Sequence, residues 1–258
     1  AQEVLSKDPA YSLDPVGDHE ATQAPGTLHK YHGRVLLVTT PACAIHCRYC
    51  FRRHFPYSES TAAQKNWRAS LGYLQQQTDI DEVILSGGDP LMLSTERLEH
   101  LFAQLEAIPH LQTLRIHTRL PVVLPSRINA PLLALLERTR LQCVIVIHSN
   151  HPAELSTEVG KHLAQLAKTG TQLLNQSVLL KNINNDSSTL KMLSKLLFKN
   201  HVLPYYLHLL DKVEGAAHFD VSDDEARQIV SILRDHLPGY LVPRLVREVP
   251  GAMSKTPL

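Results

Sequence analysis

Short runs of aliphatic and β-branched residues recur along the chain from Arg34 onward, and polar or turn-forming residues separate them. Runs of this length and composition are typical of buried β-strands. They predict six strands, at Val35–Thr39, Glu82–Leu85, Thr113–His117, Cys143–His148, Gln172–Val178 and Val202–Leu209.

Segments whose apolar residues follow helical spacing lie between and after these runs. They predict six helices, at Ala62–Gln76, Thr95–Ala107, Ala130–Arg138, Pro152–Lys168, Ser188–Lys199 and Asp223–His236. Ser94, Asn129 and Ser222 precede three of the helices and are residue types that cap helix N-termini. Strand and helix thus alternate six times, which predicts an α/β fold with a parallel sheet and right-handed crossovers. The pattern leaves open whether the sheet is a partial (β/α)6 barrel or an open doubly wound sheet.

The two ends of the chain differ from this repeating middle. Residues 1–33 have no steady apolar period and are rich in polar and turn-forming residues, so we expect an N-terminal arm that lies on the body. We predict that residues 34–237 form the core and that residues 238–258 form a C-terminal segment.

Polar motifs stand at or near the end of each predicted strand. Ligands bind at the carboxyl ends of the strands in both candidate folds, so we expect these motifs to meet at one mouth. In chain order they are a cysteine set after the first strand, Ser86-Gly87-Gly88-Asp89-Pro90, His117-Thr118-Arg119, His148-Ser149-Asn150, Asn175-Gln176 and Asp211.

Composition narrows the class of function. The 258 residues are 43% hydrophobic and carry a formal net charge of +1, with no long Lys/Arg run. Binding to nucleic acid or to a membrane surface depends on clustered positive charge, so we expect neither partner. No apolar stretch reaches the roughly 18 residues of a membrane span, and the first residues do not resemble a secretory signal. We therefore expect a cytoplasmic protein that works on small molecules.

Three of the four cysteines, Cys43, Cys47 and Cys50, form a C-x3-C-x2-C pattern. This spacing suits chelation in a reducing compartment better than a disulfide framework. Three thiolates hold three irons of a 4Fe-4S cluster and leave the fourth iron open. The alternative is a structural zinc or a cluster completed by a distant ligand. Zinc sites usually contain paired C-x2-C or Cys/His sets, however, and Cys143 lies inside an apolar strand.

The segment PACAIHCRYCFRRHFPY resembles the cluster loop of the radical S-adenosylmethionine (SAM) superfamily. The resemblance implies a partial (β/α)6 TIM-like barrel in which the open iron binds SAM. Tyr49 matches the aromatic position expected against the adenine. The residues that match the motif expected at the SAM amino group are Ser86, Gly87, Gly88 and Asp89. Apart from the resemblance, paired glycines let backbone approach a ligand closely, and a carboxylate accepts hydrogen bonds from an ammonium group.

Further segments, which span the chain from about Pro25 to Leu258, resemble the lysine 2,3-aminomutase family of that superfamily. They are LHKYHGRVLLVTTPACAIHCRYCFRR, VILSGGDPL, LRIHTRLPVVLPSRI, LNQSVLL, YYLHLLDKVEGAAHF and PGAMSKTPL. HKYH, FRRHFPY and LLDKVEGAAHF are most similar to the short bacterial members that make (R)-β-lysine for modification of elongation factor P. The family implies an isomerase that moves the α-amino group of L-lysine to the β carbon and uses an external electron donor.

The same family implies pyridoxal 5′-phosphate (PLP) as a second cofactor, bound through the C-terminal segment. Lys255 matches the lysine that holds PLP. The other family positions around the cofactor match Lys30, Tyr31, Arg34 and Arg119, and two more cofactor-binding candidates, His148 and Gln176, face the expected mouth. A phosphate needs cationic and hydroxyl donors, which the first four of these supply. Lys30 replaces an arginine of the clostridial members, so we expect a single contact there instead of a bidentate one.

Three further matches concern the substrate. Arg52 matches the arginine expected to bind the α-carboxylate of lysine. Asp211 and Glu248 match two acidic residues expected to receive its distant ammonium group. Glu248 is an aspartate in the clostridial members, whose side chain is one methylene shorter. Those members also carry a zinc site made from additional cysteines, and zinc is not predicted for this chain.

Other activities fit parts of the pattern. They are an aminomutase for glutamate or another amino acid, a SAM-consuming radical enzyme without PLP, and an iron-sulfur electron carrier or scaffold that binds elongation factor P. Asp211 and Glu248 favour a substrate with a cationic side chain. An electron carrier needs neither the SGGDP loop nor the Lys255 segment.

Overall fold

Ten strands form one sheet in the computed structural model, which describes residues 8–57 and 67–258. The strands are β1 (Thr22–Ala24), β2 (Thr27–Tyr31), β3 (Arg34–Thr40), β4 (Glu82–Gly87), β5 (Thr113–Thr118), β6 (Gln142–His148), β7 (Gln172–Val178), β8 (Leu203–His208), β9 (Arg244–Arg247) and β10 (Thr256–Pro257). Their order in the sheet is their order along the chain. A doubly wound sheet reverses its strand order at a switch point, so the sheet is the partial barrel of the two predicted alternatives.

All six predicted strands are present as β3 to β8, and adjacent strands from β3 to β9 pair in parallel. The parallel pairing confirms the predicted α/β class. Helices cross between the strands, as right-handed crossovers require. They are α1 (Arg68–Gln76), α2 (Thr95–Glu106), α3 (Leu120–Val123), α4 (Ala130–Arg138), α5 (Thr157–Lys168), α6 (Ser187–Lys199) and α7 (Asp223–His236).

The predicted helix starts are set by side-chain caps. Ser94, Asn129 and Ser222 each accept a hydrogen bond from a backbone N–H in the first turn of α2, α4 and α7. The prediction of one helix over Pro152–Lys168 is wrong, because Ser156 caps α5 and leaves Pro152–Glu154 as a separate 3₁₀ turn. The first part of the predicted helix Ala62–Gln76 lies outside the described residues.

Apolar side chains between the sheet and the helices form the core. Leu98, Leu101, Phe102 and Leu105 of α2 are buried at helical spacing, and they belong to the same cluster as strand residues such as Leu85. Among the described residues, no helix combines the length and apolar character that crossing a membrane requires.

The two ends of the chain add strands that the apolar pattern did not predict. In the N-terminal arm, β1 and β2 form an antiparallel hairpin that pairs with β3. In the C-terminal segment, β9 extends the parallel sheet and β10 pairs back on it. The arm also reaches the C-terminal segment at Gly17, whose φ of +68° favours glycine and where a Cβ would lie 3.3 Å from Pro250 Cβ. The division at residues 1–33, 34–237 and 238–258 stays a prediction.

Candidate active site

A cavity of about 730 Å³ opens at the carboxyl ends of the parallel strands. Its volume lies in the range that small-molecule sites occupy. Every residue assigned above to the cluster, SAM, PLP or lysine lines this cavity, including Cys43 and Lys255, whereas Pro90, Ser149 and Asn175 of the strand-end motifs do not. The strand-end motifs therefore meet at one mouth, as expected.

The cysteine loop follows β3 and supplies one wall of the cavity. The backbone N–H of Cys50 donates to the carbonyl of Cys47 at 3.1 Å, which closes a turn between the two cysteines. Cys43, Cys47 and Cys50 are free and partly exposed, whereas Cys143 is buried in β6. Burial raises the pKa of Cys43 to about 11, so its thiol must lose a proton when it binds a metal.

The chemistry of these three thiols fits an iron-sulfur cluster. Within residues 8–57 and 67–258, no three His, Cys, Asp or Glu side chains converge tightly enough to hold one ion. A cubane is wider than an ion and takes its ligands at separate corners, so three thiols on one open loop suit its chemistry.

The SGGDP loop lies against the start of the cysteine loop. The Gly88 N–H donates to the Thr40 carbonyl at 2.7 Å, and a Cβ on Gly88 would lie 2.3 Å from the Ala42 oxygen. Gly87 has a φ of +119°, which other residues rarely adopt. Close approach to a ligand was the predicted reason for these glycines. In this structure the close approach is to the backbone that begins the cysteine loop.

Asp89 anchors this loop to the next strand. Its Oδ1 accepts from Thr118 Oγ1 at 2.6 Å and from the Leu91 N–H at 3.1 Å. Its Oδ2 accepts from the N–H groups of Arg119 at 2.7 Å and Leu120 at 3.2 Å, at the start of α3. Burial raises the pKa of Asp89, and the hydrogen bonds oppose that rise. The carboxylate thus accepts from four protein donors, and its contact with the SAM amino group stays a prediction.

We expect Asp89→Asn to lower the free energy of unfolding by about 1–3 kcal/mol, the cost of leaving a buried N–H without an acceptor. An amide presents only one acceptor oxygen to the four donors that the carboxylate now satisfies. Urea denaturation followed by circular dichroism measures the change. Asp79→Asn is the matched control, because Asp79 is exposed and its replacement should stay within about 0.5 kcal/mol. Equal stability of both variants would contradict the anchoring role.

Arg119 lies at the cysteine loop. Its Nη1 donates to Cys47 Sγ at 3.0 Å and to the Tyr49 hydroxyl at 2.8 Å, and its Nη2 donates to Glu154 Oε2 at 2.7 Å. Asn150 Nδ2 also donates to the Tyr49 hydroxyl, at 2.5 Å. The prediction grouped Arg119 with the phosphate donors. In this structure its guanidinium contacts the cysteine loop, and its role at the PLP phosphate stays a prediction.

Lys255 lies in a second group of polar and charged residues in the cavity lining. Its Nζ donates to Glu248 Oε2 at 2.6 Å, and the Tyr31 hydroxyl donates to Glu248 Oε1 at 2.6 Å. Lys30 Nζ is 3.8 Å from the same carboxylate, and the Arg34 guanidinium lies 4.6 Å from the centre of the Tyr31 ring. Burial opposes ionisation of Glu248, but Lys255 and the hydrogen bonds hold its pKa below the ordinary value.

Arg52 is buried beside the SGGDP loop. Its Nη1 donates to Ser86 Oγ at 3.1 Å, and its Nε donates to Asp18 Oδ2 at 2.7 Å. Asp18 also lies 2.7 Å from Lys30 Nζ through its other oxygen. The sequence offered no signal for Asp18, because it lies in an arm without apolar periodicity.

The remaining candidates line the barrel wall between these groups. Burial lowers the pKa of His148 to about 4, so its imidazole is neutral at pH 7. The Gln176 amide donates to His148 Nε2 at 2.7 Å. Asn175 is a structural residue, since its side chain bonds the backbone of Ser149 and the hydroxyl of Ser177. Burial raises the pKa of Asp211 to about 7, with Lys255 opposing the rise and Glu248 adding to it.

Comparisons with known proteins agree with this geometry. Residues 32–115 match the family model of a 4Fe-4S single cluster domain. The fold is similar to that of a radical SAM methyltransferase from Sphaerobacter thermophilus, with a TM-score of 0.57 and 15% identity over 86% of this chain and 68% of that one. The partial barrel with its three-cysteine loop therefore has the fold of that radical SAM enzyme.

Sequence comparison identifies the family within that class. The chain is 51% identical to the L-lysine 2,3-aminomutase of Escherichia coli (strain K12), over 97% of this chain and 73% of the relative. It is also 51% identical to the L-lysine 2,3-aminomutase of Haemophilus influenzae, over 95% of this chain and 73% of that relative. The chain belongs to the lysine 2,3-aminomutase family, whose members are isomerases.

Proposed function

We propose that this protein moves the α-amino group of L-lysine to the β carbon and releases (R)-β-lysine, with a 4Fe-4S cluster, SAM and PLP as cofactors. The observation that carries the proposal is that Lys255 lines the same cavity as Cys43, Cys47 and Cys50. Had the lysine stood outside that cavity, a radical SAM activity without PLP would be the better reading.

The donor chemistry of the Lys255 wall supports PLP. Lys255 supplies an amine for covalent attachment, while Lys30, Tyr31 and Arg34 supply the cationic and hydroxyl groups that a phosphate needs. When bound, PLP supplies an electron sink for the migrating nitrogen, and the cluster with SAM supplies one-electron chemistry. The chain's own residues then bind, orient and exclude water.

Charges at the two sides of the cavity support an amino acid with a distant cation. We assign Arg52 to the α-carboxylate of lysine and Asp211 to its ε-ammonium group. Holding both ends restricts the β carbon to one position, which a radical reaction requires if side reactions are to be avoided. Glu248 pairs with Lys255 in this structure. It becomes available to the substrate ammonium only when Lys255 is engaged elsewhere.

We expect kcat/KM for lysine to fall as the pH drops below about 7, the pKa to which burial raises Asp211. Protonation removes the negative charge that attracts the substrate ammonium. Well below that pH the fall should be roughly tenfold per pH unit, because kcat/KM follows the free enzyme. Initial rates at pH values from about 5.5 to about 8.5, which lie on both sides of the pKa of Asp211, measure the profile. Asp211→Asn should be less active and lack this acid limb, and an unchanged limb would exclude Asp211 as its cause.

Anaerobic incubation of the reconstituted enzyme with L-lysine, SAM, PLP and a reductant tests the proposed reaction. Chiral amino-acid analysis should show (R)-β-lysine, whereas glutamate should be left unchanged. Isomerisation of another amino acid in place of lysine would overturn the substrate assignment. SAM consumed in proportion to product would favour the SAM-consuming alternative, and no chemistry at all would favour an electron carrier.

The product's use in modifying elongation factor P is a separate part of the proposal. It is supported by the likeness of HKYH, FRRHFPY and LLDKVEGAAHF to the bacterial members that serve that pathway. We place the enzyme in the cytoplasm, where a reducing environment keeps cluster thiols available and an external donor supplies electrons. Intact-mass spectrometry of elongation factor P from a deletion strain should show loss of the β-lysyl group.

A further inference from the structure

Asp18 is a buried carboxylate that the N-terminal arm inserts beside the cavity. Only 1% of the residue is exposed. Its backbone is held on both sides, because its N–H donates to Asp14 Oδ1 at 2.9 Å and its carbonyl accepts from Thr22 Oγ1 at 2.9 Å. The turn therefore delivers the carboxylate in one fixed place.

Two cations contact this carboxylate through different oxygens. Lys30 Nζ lies 2.7 Å from Oδ1, and Arg52 Nε donates to Oδ2 at 2.7 Å. Burial would raise the pKa of Asp18, but the charges of Arg52 and Lys30 outweigh it and hold the pKa below its ordinary value. Asp18 is therefore ionised at neutral pH and balances part of the positive charge on this wall.

The orientation of Arg52 depends on this contact. A guanidinium is planar, so fixing two of its nitrogens fixes the third. Asp18 holds Nε and Ser86 holds Nη1. Among the described residues no hydrogen bond engages Nη2, and Arg52 lines the cavity.

We propose that Asp18 is a positioning residue, which orients Arg52 toward the α-carboxylate of the substrate and ties Arg52 to Lys30. The inference rests on the proposed function, since it takes lysine as the ligand of Arg52. It assigns to the N-terminal arm a direct part in substrate selection, although Asp18 itself touches no substrate.

Asp18→Asn in the reconstituted holoenzyme tests this role. We expect the KM for L-lysine to rise about tenfold, the order of loss that a misplaced contact group causes. L-lysinamide lacks the carboxylate, so its inhibition constant as a competitor of lysine should stay within about twofold. Glu20→Gln is the matched control, because Glu20 is exposed, lies two residues away and loses the same charge. It should leave both constants unchanged.

Three outcomes overturn the inference. The KM for lysine and the inhibition constant of lysinamide both rise in Asp18→Asn if the residue is merely structural. Neither constant rises if the residue has no role. If the wild-type enzyme neither binds nor converts lysine, the proposed function is overturned and this inference with it. If the wild-type enzyme converts lysine and Asp18→Asn has the same two constants, only the inference is overturned.

Loss of one partner from a buried ion pair can prevent folding. Asp18→Glu therefore accompanies Asp18→Asn, since it keeps the charge and displaces it by one methylene. We expect Asp18→Glu to bind PLP, judged by its visible absorption spectrum, and to raise the KM for lysine by about threefold without changing the lysinamide constant. If Asp18→Asn does not fold, Asp18→Glu decides alone. An unaltered KM for lysine in a folded Asp18→Glu enzyme then counts against Asp18 as a positioning residue.

Discussion

Lys255→Ala is expected to lose the visible absorption band of lysine-bound PLP and to lose lysine isomerisation by at least about a thousandfold, the scale seen when a covalent catalytic group is removed. The reason is chemical, because alanine has no amine to bond the cofactor. The fold should persist, since Glu248 keeps the Tyr31 hydroxyl at 2.6 Å and Lys30 at 3.8 Å after its partner is removed. Absorption spectra with added PLP and product analysis measure the two losses.

Two other lysines separate this role from a general effect of charge. Among the described residues, Lys30 is the other lysine that lines the cavity, so Lys30→Ala should weaken PLP binding and still show the band. Lys195 is exposed on α6, and Lys195→Ala should match the wild type. A band that survives in Lys255→Ala and disappears in Lys30→Ala would move the attachment site to Lys30.

Cys47→Ala is expected to lose the 4Fe-4S cluster and, with it, all SAM-dependent turnover. Cluster irons are held by cysteine thiolates, and two remaining ligands on an exposed loop do not retain them through purification. Arg119 Nη1 also loses the sulfur to which it donates at 3.0 Å. Iron content after anaerobic reconstitution should fall well below about four per chain, and the charge-transfer absorption of the cluster should disappear.

The fourth cysteine provides the matched control. Cys143 is 8% exposed and belongs to the apolar core of β6, outside the cavity lining. Cys143→Ala should keep its iron and its turnover. If Cys143→Ala lost the cluster while Cys47→Ala kept it, the three-cysteine assignment would have to be abandoned.

The charged groups of the cavity form a row in which positive and negative side chains alternate, and this row joins the two ends of the sequence. Lys255 contacts Glu248, which lies 3.8 Å from Lys30, and Asp18 lies between Lys30 and Arg52. The residues of this row come from the C-terminal segment, the arm and the cysteine loop. Buried charges are stable only when such partners are present, so these three segments must assemble together.

Much of the barrel was predictable from local patterns. The strands β3 to β8 are short apolar runs, and Ser94, Asn129 and Ser222 cap helices by interactions within four residues. The strands β1, β2, β9 and β10 at the two ends of the chain were not predicted. Strands of two to five residues are stabilised by their neighbours in the sheet and leave little periodicity of their own.

The sequence by itself determined that the polar groups at the ends of β3 to β8 meet at the cavity, since parallel strands bring their carboxyl ends to one edge. Tertiary structure alone decided what each group contacts. It commits Arg119 to Cys47 and Tyr49, engages Asp89 with four donors, and brings Asp18 to Arg52. Each of these contacts joins residues that are far apart along the chain, so no local pattern could predict it.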